Sequence, residues 1–204
     1  MDYDDLPCVS IAMPTYNRNN FKPLILQNIM SFNYPKDKLE FVIDDDGTEK
    51  FLKNKMEEDW LRETIYPIKL KYYYNNNRRS IGAKRNNLTK IASYKIIACM
   101  DSDDVYMPDY ILYGITELKK GGYGCVGSNQ MMFIYPYDNF KTHAIRCEAK
   151  RQIHEATFVY TKKHHKSMGG FLSKGKRGNQ GEGSKMADYN EKNVGLLDID
   201  KCMC

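Results

Sequence analysis

A chain of 204 residues and 23.8 kDa fits one domain of ordinary size with a sizeable core. Hydrophobic residues at 42% and charged residues at 28% are the shares of a soluble globular protein rather than a disordered one. The net charge of +5 suits an anionic ligand but is too weak to argue for nucleic acid. Six cysteines (Cys8, Cys99, Cys125, Cys147, Cys202, Cys204) are scattered with no CxxC pair, which predicts a reducing compartment and no disulfide framework. Cys8 and Cys99 fall in apolar runs, as small buried residues would. No signal peptide is visible, and no apolar run approaches the ~20 residues that span a bilayer. The expectation is a cytoplasmic chain without a transmembrane segment.

Residues 1–7 read as a loose end. Cys8-Val9-Ser10-Ile11-Ala12-Met13 is a first buried strand stopped by Pro14, and Thr15-Tyr16-Asn17-Arg18-Asn19 is the loop at its C-terminal end. Phe21, Leu24, Ile25, Ile29 and Phe32 follow helical spacing, with Pro23 tolerable in the first turn. A second strand, Leu39 to Ile43, ends in Asp44-Asp45-Asp46-Gly47-Thr48, which by itself is equally a solvated turn before a helix. Lys53 to Arg62 is a charged helix that the single tryptophan, Trp60, should anchor. Ile68 to Tyr74 makes a third strand ending in Asn75-Asn76-Asn77-Arg78-Arg79, and Ser80 to Ala92 a helix carrying Lys84 and Arg85 in its first turns.

The fourth strand, starting at Ile96, ends abruptly in Met100-Asp101-Ser102-Asp103-Asp104, with three carboxylates in four residues. Such a cluster at the C-terminal edge of a buried strand sits where open α/β sheets bind ligands. Its self-repulsion calls for a positive partner, and a divalent cation with oxygen ligands is an economical one. In an extended chain Asp101 and Asp103 point to one side and Ser102 to the other. The plainer reading is an acidic turn leading into the next helix. Three strand–loop–helix units followed by a fourth strand imply an α/β fold, a mostly parallel sheet flanked by helices, with every ligand-like cluster on one edge.

Beyond a helix from Tyr110 to Lys120 the half is mixed and irregular. Strands are expected over Tyr123–Tyr135, Ala156–Lys162 and Val194–Ile199, and a helix over Ser184–Lys192. Between Met168 and Met186 glycines recur among basic residues: Gly169-Gly170-Phe171, Gly175, Gly178 and Gly181-Glu182-Gly183. Such a stretch is mobile or wraps a ligand. His154 and His164-His165 lack the spacing of a zinc site and read as surface residues. The basic runs near Lys162 and Lys174 accompany no nucleic-acid fold motif, so no nucleic-acid partner is expected. The stop after a final strand reads as a fragment of a longer protein or a minimal domain.

Four segments in order resemble family-2-type glycosyltransferases of the GT-A fold: Val9 to Arg18, Asp45-Asp46-Gly47-Thr48, Gly82-Ala83-Lys84-Arg85-Asn86 and Met100 to Asp109. They cover residues 8–110, and Gly169-Gly170-Phe171 followed by Gly181-Glu182 extends the likeness. The resemblance implies one GT-A, Rossmann-like domain over 1–204, with a nucleotide-sugar-binding half (8–110) and an acceptor and catalytic half (111–204). It implies inverting hexosyl transfer from a nucleotide-diphosphate sugar, UDP-linked by preference, to a hydroxyl of a glycan, protein or small molecule, with Mn2+ or Mg2+. By position, Pro14, Thr15 and Tyr16 would line the nucleoside pocket beside Arg18 and Asp45, and Asp46 would accept a hydrogen bond from the base. Asp101, Ser102 and Asp103 would meet ribose and metal, with Asp101 and Asp103 as metal ligands, while Arg79 or Arg85 would face base or diphosphate. Residues 162–177 would close over the diphosphate. The family's base lies in a Glu-Asp pair, but here the pair is Glu182-Gly183. That departure makes Glu182 the candidate base and Asp188 the runner-up. A sugar-nucleotide pyrophosphorylase and a non-catalytic nucleotide- or RNA-binding module stay open as alternatives.

Overall fold

Alternation of side chains along two central strands organises the fold. In the computed structural model, which describes residues 5–135, 137–146, 153–175, 178, 181–187 and 193–202, strand β1 is Val9–Thr15 and β2 is Leu39–Asp45. Both are buried throughout and pair in parallel, Val9 opposite Leu39 and Thr15 opposite Asp45. Odd-numbered residues (Val9, Ile11, Met13; Leu39, Phe41, Ile43) join one core cluster, and Ala12 and Val42 join the other. That is the period of two expected of a strand covered on both faces.

The first cluster is covered by α1 (Lys22–Ser31) through Ile25 and Ile29, and by α2 (Lys55–Thr64) through Leu61. Strand β3 (Lys69–Tyr74) follows and pairs parallel to β2. Helix α3 (Ile81–Ile91) covers the second cluster through Leu88. Its cap is Ser80, whose hydroxyl accepts from Ala83 N, satisfying one of the first-turn amides. Strand β4 (Ile96–Cys99) returns parallel to β1. Helix α4 (Tyr110–Gly121) adds Ile111, Ile115 and Leu118 to the first cluster. Burying these aliphatic side chains stabilises the chain by about 1.5–3 kcal/mol each, before ordering entropy.

The second half joins the same sheet. Strands β5 (Cys125–Gly127), β6 (Gln130–Tyr135), β7 (Lys141–Arg146), β8 (Val159–Thr161) and β9 (Val194–Leu196) follow α4. The seven-stranded order is β3-β2-β1-β4-β8-β5-β9, with β8 antiparallel to β4 and β5. The α/β class, the parallel first half and the mixed second half are as the sequence implies.

Several local expectations are corrected. The strand expected over 123–135 is two, split at Ser128, and β6 pairs with β7 in a separate hairpin that periodicity did not reveal. Residues 162–167 form a helix, α5 (Lys162–Ser167), capped by Thr161. Lys162 Nζ donates to Ala92 O at 2.6 Å, so a lid beginning at Lys162 does not fit the fold. No helix forms over 184–187, and 188–192 lie outside the described residues. Trp60 is half exposed, and the neighbouring Leu61 and Ile65 anchor α2 in its place. Cys8 is exposed while Cys99 is buried. Leu6, inside the supposed loose end, packs in the core. His164 is buried, with Nε2 at 2.8 Å from Met186 O.

Candidate active site

Loops after β1, β3 and β4, with the start of α3, enclose one cleft. Its first lobe, about 380 Å3, is lined by Pro14, Thr15, Tyr16, Asn17 and Arg18, then Arg78, Ile81 and Lys84, then Asp101, Ser102 and Asp103. A second lobe, about 480 Å3, shares Tyr16, Arg78, Ile81 and Lys84 and adds Arg79 and Ser80. The β1 loop turns at Asn17, whose φ of 53° is left-handed, a conformation asparagine tolerates. Its side chain ties this loop to the next one: Nδ2 donates to Thr48 Oγ1 at 3.0 Å and Oδ1 accepts from Glu49 N at 3.2 Å.

Alternation along β2 divides the acids at its C-terminal end. Asp45 faces the first cluster, where Gly47 N, Phe51 N and the Tyr72 hydroxyl donate to its oxygens at 2.9, 2.7 and 2.7 Å. It shapes the loop and does not line the cleft, which corrects its assignment to the donor. Asp44 and Asp46 face α3. Asp44 pairs with Arg79 and accepts from Asn87 Nδ2 at 2.8 Å, and burial nonetheless pushes its carboxyl above the usual range. Asp46 accepts from Lys84 Nζ at 2.7 Å and from Arg79 N at 2.6 Å, and is itself 2% exposed. Lys84 also donates to Thr15 O at 2.9 Å. Asp46 therefore stands behind the cleft wall, holding Lys84 against the β1 loop.

The chain turns at Ser102-Asp103 instead of running on extended, and Asp101 and Asp103 line one cleft while pairing with different cations. Asp101 turns inward, accepting from Arg85 at 2.9 Å; its other oxygen, Oδ1, is buried with no partner among the described residues. Asp103 turns outward to Arg18 at 3.1 Å, both side chains well exposed. Burial, then the charges of Asp101 and Asp103, push Asp104 up to about 7. Among the described residues no three His, Cys, Asp or Glu side chains converge as a ready-made metal cage. A magnesium-type cation is commonly held by one or two carboxylates plus phosphate oxygens, so this donor set, with an orphaned oxygen on Asp101, fits such an ion.

Arg85 is fully enclosed and donates through Nε to Glu182 Oε1 at 3.0 Å, while its NH2 pairs with Asp101. One guanidinium thus separates the β4 carboxylate from the glutamate of the glycine-rich stretch. This placement takes Arg85 out of the cleft lining and gives it a bridging position. Burial raises the Glu182 carboxyl above its ordinary range; Arg85 opposes the shift and neighbouring Glu155 adds to it. The glycine-rich stretch is docked on α3: Asn86 Nδ2 donates to Phe171 O and its Oδ1 accepts from Phe171 N, each at 2.8 Å. His165 Nε2 adds a third contact to that oxygen at 2.8 Å. Gly82 makes the approach possible, since a Cβ there would meet Leu172 O at 1.8 Å.

Of the residues expected from sequence, Pro14, Thr15, Tyr16, Arg18, Arg79, Asp101, Ser102 and Asp103 line the cleft. Asp45, Asp46, Arg85 and Glu182 are buried around it, and Asp188 lies outside the described residues. Asn17, Arg78, Ile81 and Lys84 line the cleft without having been singled out for the site. Lys84 carried a signal, its place one residue before Arg85 in the third motif.

The model of glycosyl transferase family 2 matches residues 10–176, and the chain belongs to that family. Over 143 residues it is 27% identical to glycosyltransferase AglE of Haloferax volcanii, a match covering 66% of this chain and 45% of that protein. Among solved structures it is similar to mannosyltransferase PcManGT from Pyrobaculum calidifontis in complex with GDP-Man and Mn2+, with a TM-score of 0.69 and 20% identity. That match covers 98% of this chain and 57% of the other. It is also similar to residues 1–349 of S. aureus TarS in complex with UDP-GlcNAc, with a TM-score of 0.65 and 14% identity, covering 96% and 57%. The chain thus spans less than half the length of AglE and somewhat over half of each structure. At these identities the structures establish the GT-A fold. Among the described residues no helix is long and apolar enough to cross a membrane.

Proposed function

We propose that this chain carries the donor site and transfer chemistry of a metal-dependent, inverting glycosyltransferase that takes a nucleotide-diphosphate sugar and glycosylates a hydroxyl. The observation that carries the reading is the meeting at one sheet edge of the Asp101–Asp103 carboxylates, the Tyr16 loop and, one guanidinium away, Glu182. Asp101 and Asp103 would hold Mn2+ or Mg2+, which when bound supplies Lewis-acid stabilisation of the departing diphosphate. Pro14, Thr15 and Tyr16 form the wall for the nucleoside, and Asp46 fixes that wall through Lys84. Glu182 takes the proton of the attacking hydroxyl, and burial, which raises its carboxyl above the ordinary range, makes it a stronger base. Arg85, 3.0 Å from Glu182, opposes that rise. A uridine nucleotide is the first candidate donor. A guanosine nucleotide is the second, favoured by the likeness to the GDP-Man complex.

Thermal melting with UDP- and GDP-sugars, each with Mn2+ and with EDTA, tests the donor, and hydrolysis or transfer of the stabilising sugar tests the chemistry. A metal-dependent rise in melting temperature is expected for one nucleotide series, followed by turnover. Stabilisation without turnover by any acceptor would favour the non-catalytic module, and equal stabilisation in EDTA would remove the metal.

A further inference from the structure

Resting on the nucleotide-sugar reading, we infer that Arg78 is the donor-recognition residue of the cleft, its guanidinium held over the Tyr16 ring so that its open N–H donors grip the diphosphate. The argument begins with the other cations. Lys84 is taken by Asp46 and Thr15 O, Arg79 by Asp44, and Arg85 by Asp101 and Glu182. Arg18 is paired with Asp103. Among the described residues, Arg78 is the cation lining the cleft with no carboxylate partner, and it is exposed. Its recorded contact is the Tyr16 ring, whose centroid lies 4.2 Å from the guanidinium carbon.

Arg78 makes no side-chain hydrogen bond among the described residues, so the N–H donors of the guanidinium over the Tyr16 ring are open to a ligand. A planar fork of such donors matches two phosphate oxygens, which an ammonium cannot do. Arg78 also stands at the junction of the two lobes, lining the one that holds Asp101 and Asp103 as well as its neighbour. Electrostatics points the same way. The two cleft carboxylates already draw on a divalent cation, so a diphosphate brings negative charge beyond what that ion balances. An uncommitted cation is needed inside the cleft, and Arg78 supplies it. Tyr16, whose ring centroid lies 4.2 Å from the guanidinium carbon, acts as the positioning residue that holds the fork in the cleft.

The test compares UDP with uridine, or GDP with guanosine if the guanosine nucleotide is the one bound, by NMR titration of the unmodified chain, Arg78→Ala and Arg78→Lys. We expect Arg78→Ala to weaken the diphosphate about 10- to 100-fold, the scale of hydrogen bonds to a charged group. The nucleoside should change less than about twofold, since it lacks the charged partner. Arg78→Lys should recover only part of the loss, and the effect should persist in EDTA. Because Arg78 is exposed, the variants should melt with the unmodified chain. Equal weakening of nucleoside and nucleotide would reassign Arg78 to the base and overturn the inference, as would unchanged affinity for the diphosphate. If the unmodified chain binds neither nucleotide with Mn2+, the nucleotide-sugar reading itself fails, and this inference with it.

Discussion

Gly82→Ala is a sharp test of how the two halves of the site are joined. In the first turn of α3 a methyl group would lie 1.8 Å from Leu172 O, 2.9 Å from Leu172 C and 3.1 Å from Glu182 Cβ. The backbone at Leu172 would have to retreat by more than an ångström to reach ordinary contact, and it is tied to the residues that matter. Leu172 N donates to Glu182 O at 2.8 Å, and Phe171 exchanges two hydrogen bonds with Asn86, its carbonyl accepting and its N–H donating. Weakening these bonds costs about 0.5–1.5 kcal/mol each, and more for Arg85–Glu182 because it is charged. Alanine is favoured over glycine in a helix by up to about 1 kcal/mol, which works in the opposite direction. The expected balance is a destabilisation of about 2 kcal/mol, read as a lower urea midpoint with an unchanged slope. The conformational effect should be local, leaving β1, β2 and the Tyr16 loop intact. A midpoint equal to or above that of the unmodified chain would mean that the 170s segment does not rest on α3.

Three further outcomes follow from the same geometry. Asp103→Ala should abolish the Mn2+-dependent part of nucleotide binding, yet shift stability by only about 0.5 kcal/mol because its pair with Arg18 is solvent-exposed. Retained metal dependence would move the ion elsewhere. Arg85→Met leaves the carboxylates of Asp101 and Glu182 without their shared cation, a loss of about 3–5 kcal/mol near pH 7 in denaturant melts. Glu182 already has a raised folded-state pKa, so its protonation favours the folded chain. The deficit should therefore shrink as the pH is lowered from 7 towards 5, and a deficit that grows on acidification would refute the account. Glu182→Gln should leave nucleotide binding intact and cut transfer at least ~100-fold; near-normal turnover would move the base to another acid.

The first half of the chain was legible because each strand is an apolar run ended by a cluster of a different chemistry. Pro14-Thr15-Tyr16, Asp44-Asp45-Asp46, Arg78-Arg79 and Asp101-Ser102-Asp103 all fall at or just beyond the C-terminal ends of strands, and a parallel sheet brings such ends to one edge. The second half was less legible because its strands β5, β8 and β9 have three residues each, too few to display a period. The hairpin of β6 and β7 hid for another reason. Its residues are largely exposed on both faces, so the sequence lacks the in–out alternation of a strand with one buried face. The histidine next to Lys163 was read as surface because charge surrounds it in sequence, yet its ring is turned inward onto Met186 O.

The identity of acids was easier to read than their commitments, and alternation explains the difference. Three consecutive aspartates at the end of β2 look equivalent as letters, but a strand sends its side chains alternately to its two faces. Asp45 goes to the side of α2 and spends its oxygens on two backbone amides and a tyrosine; Asp44 and Asp46 go to the side of α3 and meet Arg79 and Lys84. The β4 acids separate by a turn instead, which sends Asp101 to buried Arg85 and Asp103 to exposed Arg18. Each buried cation of α3 thereby has a carboxylate partner, as burial of charge demands. The consequence for function is that motif residues divide into those that touch the cleft and those that hold it. Asp46, Arg85 and Lys84, the last of which also lines the cleft, fix the positions of the Tyr16 loop, Asp101 and Glu182 relative to one another. Changes at these three should therefore show first as lost stability, whereas changes at Tyr16, Arg78 and Asp103 should show first as lost ligand.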